Sequence, residues 1–326
     1  MKGFLRSVLV VLLAVASVAA WQPVHAQPYP NKPVRLVIPY PPGGGTDTIM
    51  RPFVQYLSER LGQQIIIDNR GGGGGSMGME AVARATPDGY TLVAGLTAQL
   101  AVNPALYKKL PYDPVKDYAP ISLFADGPYL LVVHPSLPVK SLKDLVELAR
   151  KSPNKINYAS SGNGSGGHLA AEMLMYMAGI KMLHIPYKGG GPAIIDVVAG
   201  QVPVTFGTAA SVTPHTKTGR LRALGVTGGQ RSALLPELPT IAESGLKGYE
   251  MLNWLGMFAP AGTPPAIVNQ LYEHIARALA LKDVRERIDA LGGEIVASNP
   301  RDTEKFLGAQ IAKWAKVVKQ GNIKVE

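Results

Sequence analysis

The chain has 326 residues, 33 Lys and Arg against 23 Asp and Glu, a formal net charge of +10 and no cysteine. The absence of cysteine excludes disulfides, thiolate metal sites, a cysteine nucleophile and a lipid-modified N-terminal cysteine. The basic residues are scattered rather than clustered beside aromatics, so they leave no nucleic-acid footprint; they suit solvated surface charge or a mild attraction for anions.

In chain order, Lys2 and Arg6 come first, followed by an apolar run over 8–20 and the sequence Val24-His25-Ala26. This layout predicts a secretory signal peptide over residues 1–26, cleaved before Gln27. The run is shorter than the roughly 20 residues a membrane-spanning helix needs, which disfavours an uncleaved anchor. The mature chain is then expected to be a soluble periplasmic protein long enough for two domains.

Strands alternating with helices follow. Strands are predicted over 34–39, 64–68 and 90–96, with helices over 46–61 and 76–85 between them, a pattern that points to a parallel sheet covered on both faces. A Pro-rich connection over 103–120 leads to an extended segment over 129–134. Ser141 with Asp144 resembles a capping box for a helix over 142–151. Strands over 156–160, 182–187, 202–206 and 221–226, with helices over 168–178 and 193–199, complete the second set.

Residues 254–259 are again extended. Beyond Pro264-Pro265 a long amphipathic helix runs towards Leu291, and a last helix covers 302–319. Two α/β halves joined by extended crossings place a cleft between lobes. The predicted lobes are 27–124 with 247–326, and 125–246.

Three strand-to-helix turns carry the functional signals. The first is Pro39-Tyr40-Pro41-Pro42-Gly43-Gly44-Gly45-Thr46-Asp47. Prolines stiffen it, glycines let backbone N–H groups approach a ligand, and the unpaired amides of a helix start suit a carboxylate. Tyr40, Pro42, Gly43 and Gly44 are candidate ligand contacts. Asp47 in the first turn either meets an ammonium or hydroxyl of the ligand or caps its own helix.

The second turn is Ser160-Ser161-Gly162-Asn163-Gly164-Ser165-Gly166-Gly167-His168. Ser160, Ser161, Gly162, Gly164 and Ser165 are candidates for holding an anion. Asn163 to Gly167 lacks the first glycine of the G-x-S-x-G nucleophile elbow, and no His or acid has a recognisable supporting context, so a serine hydrolase using Ser165 is the weaker alternative. His168 and Glu172 are spaced i, i+4, which favours packing or surface roles over metal binding.

The third is Tyr187-Lys188-Gly189-Gly190-Gly191-Pro192, where Lys188 either reaches an anionic ligand or is solvated at the rim. Thr97 and Ala98 follow the third strand, and Thr208 follows the strand over 202–206; ligands of open α/β sheets bind beyond such strand ends. Gly73, Gly75 and Gly78 match G-x-G-x-x-G, but the next strand ends in Thr97-Ala98-Gln99 with no acid for a ribose, so the glycines read as a flexible turn. No cofactor is expected.

In their order, the loop 40–47, Asn69-Arg70 with its glycines, Pro87-Asp88-Gly89-Tyr90 and Asn103-Pro104-Ala105-Leu106-Tyr107 resemble the Bug-type extracytoplasmic receptors of tripartite tricarboxylate transporters. The likeness continues through 158–168, Pro186-Tyr187-Lys188-Gly189, Gly200-Gln201-Val202, Leu238-Pro239-Thr240 and Gly262-Thr263-Pro264. The resemblance implies a two-domain Venus-flytrap fold, with the loops 40–47 and 160–165 as pincers on a carboxylated solute, backbone groups and ordered waters holding one carboxylate, and membrane transporter subunits as partners. It implies that Asp47 engages an amino group where the ligand has one. The chain departs from many relatives at Phe206-Gly207-Thr208, where an acid is frequent, so the pattern does not extend to the distal half of the ligand.

The expected function is a binding protein, not an enzyme, for a small mono- or dicarboxylate or a related amide or amino acid. A receptor detached from its transporter and serving a sensor is a further alternative.

Overall fold

The computed structural model describes residues 29–232, 235–290 and 292–321. The signal-peptide segment lies outside these residues. Lys32–Glu326 forms one compact unit built of two α/β domains.

The first sheet has the order β11-β4-β10-β3-β1-β2. Its strands are β1 (Val34–Ile38), β2 (Ile65–Asn69), β3 (Thr91–Leu96), β4 (Tyr118–Asp126), β10 (Leu255–Pro260) and β11 (Glu294–Ile295). β1 pairs in parallel with β2 and β3, whereas β10 lies antiparallel between β3 and β4. The second sheet has the order β7-β6-β8-β5-β9. It comprises β5 (Tyr129–Val133), β6 (Asn157–Ser160), β7 (Leu183–Pro186), β8 (Val204–Thr208) and β9 (Arg222–Val226). β5 is antiparallel to both its neighbours. The expected parallel sheets are therefore mixed, because β10 and β5, which come directly from crossings between the lobes, and the short edge strand β11 run antiparallel to their neighbours.

The helices of the first half are α1 (Gly45–Leu61), α2 (Ser76–Ala83), α3 (Asn103–Leu106), α4 (Leu142–Lys151) and α5 (Gly166–Ala178). Those of the second are α6 (Gly190–Val198), α7 (Ala209–Lys217), α8 (Pro265–Leu279), α9 (Lys282–Ala290) and α10 (Pro300–Gly321). α1 ends where Gly62 adopts the left-handed conformation at φ 65°, a stop that costs glycine nothing sterically. Ser141 Oγ accepts from the Asp144 N–H at 3.2 Å, the expected half of the capping box; the Asp144 carboxylate accepts from the Lys140 N–H instead.

Leu36, Ile38, Leu57, Leu92 and Phe258 are sealed in the first lobe and Leu130, Val132, Ala159 and Val197 in the second, each large aliphatic side chain contributing about 2 kcal/mol of burial. The crossings bind one another: Asn253 N–H donates to Gly127 O at 2.8 Å, and Thr97 Oγ1 donates to Leu252 O (3.0 Å) while accepting from Trp254 N–H (2.9 Å). This buckle fixes where the strand ends of the two sheets face each other.

Candidate functional site

The loop leaving β1 enters α1 through Gly44, whose backbone is extended at φ −79°, ψ 168° and which caps the helix without a side chain. Asp47, in the first turn, is almost wholly buried. Its carboxylate accepts from Gly43 N–H (3.0 Å), Arg51 Nε (2.8 Å) and Asn69 Nδ2 (3.0 Å). Burial alone would raise its pKa, but the bonds from Arg51, Gly43 and Asn69 outweigh that and hold it below the ordinary carboxylate value. The side chain thus knits the loop, the helix and the end of β2 together.

The facing loop leaves β6 and enters α5. Ser160 Oγ accepts from the Gly162 N–H at 3.1 Å and lies 2.6 Å from His184 Nε2. The Gly164 N–H donates to His168 Nδ1 at 3.1 Å. The two imidazoles stack with centroids 4.1 Å apart. Burial drives His168 down to about 3, with help from His184, and His184 down to about 4, so both are neutral at pH 7. Ser165 Oγ is buried and makes no hydrogen bond. The one serine–histidine contact in this loop joins Ser160 to His184, and no imidazole bonds to Ser165, so the hydrolase alternative lacks its base.

The loops of the two lobes touch. Gly74 packs on the Asn163 carbonyl and Gly45 on the Thr208 side chain, each closer than a Cβ would permit. Pro41 is wedged between Gly71 and Gly189, where added Cβ atoms would sit 2.6 and 2.8 Å from its Cδ. Between the lobes lies a cavity of about 50 Å³. Tyr40, Gly44, Thr46 and Asn253 border it from one lobe and Tyr129, Ser161, Gly190 and Thr208 from the other.

No charged side chain lines this cavity among the described residues; hydroxyls, an amide and the first turns of α1, α6 and α7 do. Those turns direct unpaired N–H groups and the positive ends of helix dipoles at the space, the elementary requirement for an anion. Burial pushes the Tyr40 phenol up to about 12 against its bond from Gln99, and pushes Tyr129 well above its ordinary value. Both remain neutral hydroxyls. Tyr40 accepts from Gln99 Nε2 at 2.7 Å and donates to Gly74 O at 3.3 Å; Tyr129 donates to Asn253 Oδ1 at 2.8 Å. Among the described residues no cluster of His, Asp or Glu could hold a metal ion.

Of the residues singled out from sequence, Tyr40, Gly44, Ser161 and Thr208 border the cavity. Pro42, Gly43 and Lys188 are exposed and do not line it. Thr97 and Ala98 are buried behind it, Thr97 in the buckle between the crossings. Ser160, Gly162, Gly164 and Ser165 form the wall behind Ser161, bonded mainly within their own loop. Sequence reasoning missed Asn253 and Tyr129 at the cavity and Gln99 behind Tyr40, and in the third turn it named Lys188 where Gly190 borders the space. For Gln99 a signal existed, since it directly follows the strand-end pair Thr97-Ala98; the first two belong to the crossings and are brought in by tertiary structure.

Residues 49–323 match the model of a family described as the tripartite tricarboxylate transporter family receptor (TctC). Protein BugT of Bordetella pertussis is 36% identical over 323 residues, spanning 99% of this chain and 98% of its own. The structure of R. palustris Rpa4515 with adipate superposes with a TM-score of 0.87 at 38% identity, covering 91% of this chain and 99% of that one. The periplasmic binding protein BugD superposes with a TM-score of 0.88 at 35% identity, covering 91% and 100%.

Proposed function

Because the chain belongs to the tripartite tricarboxylate transporter receptor family, whose members bind solutes and are not enzymes, we propose that it captures a small carboxylated metabolite, a mono- or dicarboxylate or amino-acid-like acid, in the periplasm for the membrane subunits of such a transporter. The observation that carries this reading is the neutral cavity at three converging helix starts. An anion there is met by backbone amides and hydroxyls whose orientation is already paid for by the fold.

The lobes are 27–124 with 247–326, and 125–246, and the mature chain begins at Gln27 after signal-peptide cleavage. Tyr40, Gly44, Ser161 and Thr208 contact the ligand, while Pro42 and Gly43 shape the entrance and Ser160, Gly162, Gly164 and Ser165 support Ser161. Adipate in a similar receptor supports a dicarboxylate as the first solute to try. Closure on the ligand is a population shift that presents a joined two-lobe face to the transporter.

The test is mass spectrometry of small molecules released from natively purified protein, followed by calorimetry with the molecules found. A released carboxylate that binds again supports the proposal. A protein that releases and binds none, across mono-, di- and amino-dicarboxylates, refutes it.

A further inference from the structure

Behind the ligand cavity lies a second cavity of about 30 Å³, enough to hold a water. Thr46, Thr208 and Asn253 border both spaces, so these side chains are the partition between them. The lobe-two half of that partition is Thr208, at the end of β8. Its hydroxyl is the atom nearest to where Gly45 would carry a Cβ, and its Cβ and Cγ2 lie 3.0 Å from that point, which leaves no gap between the lobes here. Its hydroxyl is 2.8 Å from Ser211 Oγ in the first turn of α7, and Ser211 in turn donates to Thr208 O. The side chain is therefore pinned from its own lobe and pressed on the other.

The rear cavity is bordered by Ile49, Pro128, Ala209 and Leu255, with Asp126 as its one charged residue. Apolar walls welcome methylenes, and the Asp126 carboxylate repels a second carboxylate. Resting on the carboxylate-binding reading above, we propose that Thr208 is the length stop of the site: it ends the ligand against Gly45 and shuts off a rear space that would otherwise take an uncharged tail.

Thr208→Ala removes the lobe-two half of the partition and opens the ligand space towards the second cavity, with room for about one further carbon. Calorimetry on straight-chain monocarboxylates and α,ω-dicarboxylates of two to eight carbons reads the effect. The expected result is that Thr208→Ala raises the affinity of acids one or two carbons longer than the wild-type optimum, relative to that optimum, by at least about tenfold, the scale on which a pocket senses one methylene. The gain is larger for monocarboxylates, whose tail end is uncharged. Thr208→Ser, which loses only the methyl and keeps the hydroxyl nearest Gly45, moves the optimum in the same direction by less. Thr208→Val keeps the bulk, and with it the wild-type optimum, whatever its overall affinity.

An unchanged length ranking in both Thr208→Ala and Thr208→Ser, with the wild type binding acids normally, overturns the length stop alone. A wild type that binds no acid of either series overturns the carboxylate reading and the length stop together.

Discussion

The Tyr107 hydroxyl of the first lobe donates to the Asn163 carbonyl of the second at 3.2 Å. Beside it, the Asn103 amide, oriented so that its nitrogen donates, reaches Gly164 O at 3.2 Å. Two side chains from the segment Asn103–Leu106 and its next residue thus hold two successive carbonyls of the opposing loop. Bonds across the cleft exist only when it is shut, so they bias the open–closed equilibrium without selecting among ligands. Tyr107→Phe should weaken every ligand about fivefold, the worth of one neutral hydrogen bond, mostly through faster dissociation in stopped-flow traces. A loss confined to one ligand would show that Tyr107 contacts ligand instead.

Gly45 is another contact made only on closure. It is helical, so alanine suits its backbone and is expected to leave the melting temperature unchanged or slightly raised. Its Cβ would nevertheless overlap Thr208 in the opposite lobe. Gly45→Ala should therefore weaken ligand at least about tenfold through incomplete closure, and Thr208→Gly in the same chain should restore part of the loss, a coupling that a double-mutant cycle measures. Additive losses would mean that the two residues do not meet.

The difference between what could and could not be read from sequence follows from where each constraint acts. The loops 40–47 and 160–168 were legible because prolines, glycines and a helix start lie within ten residues of one another. α7 was not, since Pro214 interrupts a weakly amphipathic segment, and β4 was hidden because it begins inside the Pro-rich connection and carries Pro120 within it. The long helix after Pro265 divides at Ala280, giving α8 and α9. Tyr129 and Asn253 bond to each other across 124 positions of sequence, a pairing that no local pattern announces. Thr97 looked like a strand-end ligand contact, and its hydroxyl is instead used by the returning crossing.

Asp47 illustrates how a buried carboxylate shapes a site without facing it. Three internal donors occupy it. Asp47→Ala leaves the Gly43 N–H without its acceptor and removes the partner of Arg51 Nε, while Asn69 Nδ2 keeps only Tyr40 O, and should cost about 1–3 kcal/mol of unfolding free energy. Binding of a plain dicarboxylate and of an amino-dicarboxylate should then fall by the same factor in calorimetry. A selective loss of the amino acid would instead assign Asp47 to the ligand's ammonium group.

The stacked histidines make the second lobe sensitive to acid. Both are held neutral by burial, His184 at about 4 and His168 at about 3, whereas an unfolded histidine titrates near 6.5. Around them stand Tyr158, stacked on His184 at 4.9 Å; Glu172, 3.6 Å from His168 Nε2; and Ser160, 2.6 Å from His184 Nε2. The folded pKa values are depressed, so below about pH 6.5 the unfolded chain binds protons that the folded chain refuses, and stability falls as pH falls until the folded values are reached. Between pH 7 and pH 5 the linkage should cost about 1–2 kcal/mol for the buried His168 and less for the part-buried His184. The melting temperature of the wild type should drop over that interval by more than that of His184→Phe, which keeps a stacked ring and removes one titration. Parallel curves for the two proteins would mean that His184 is protonated in the folded state or that another group governs the acid response.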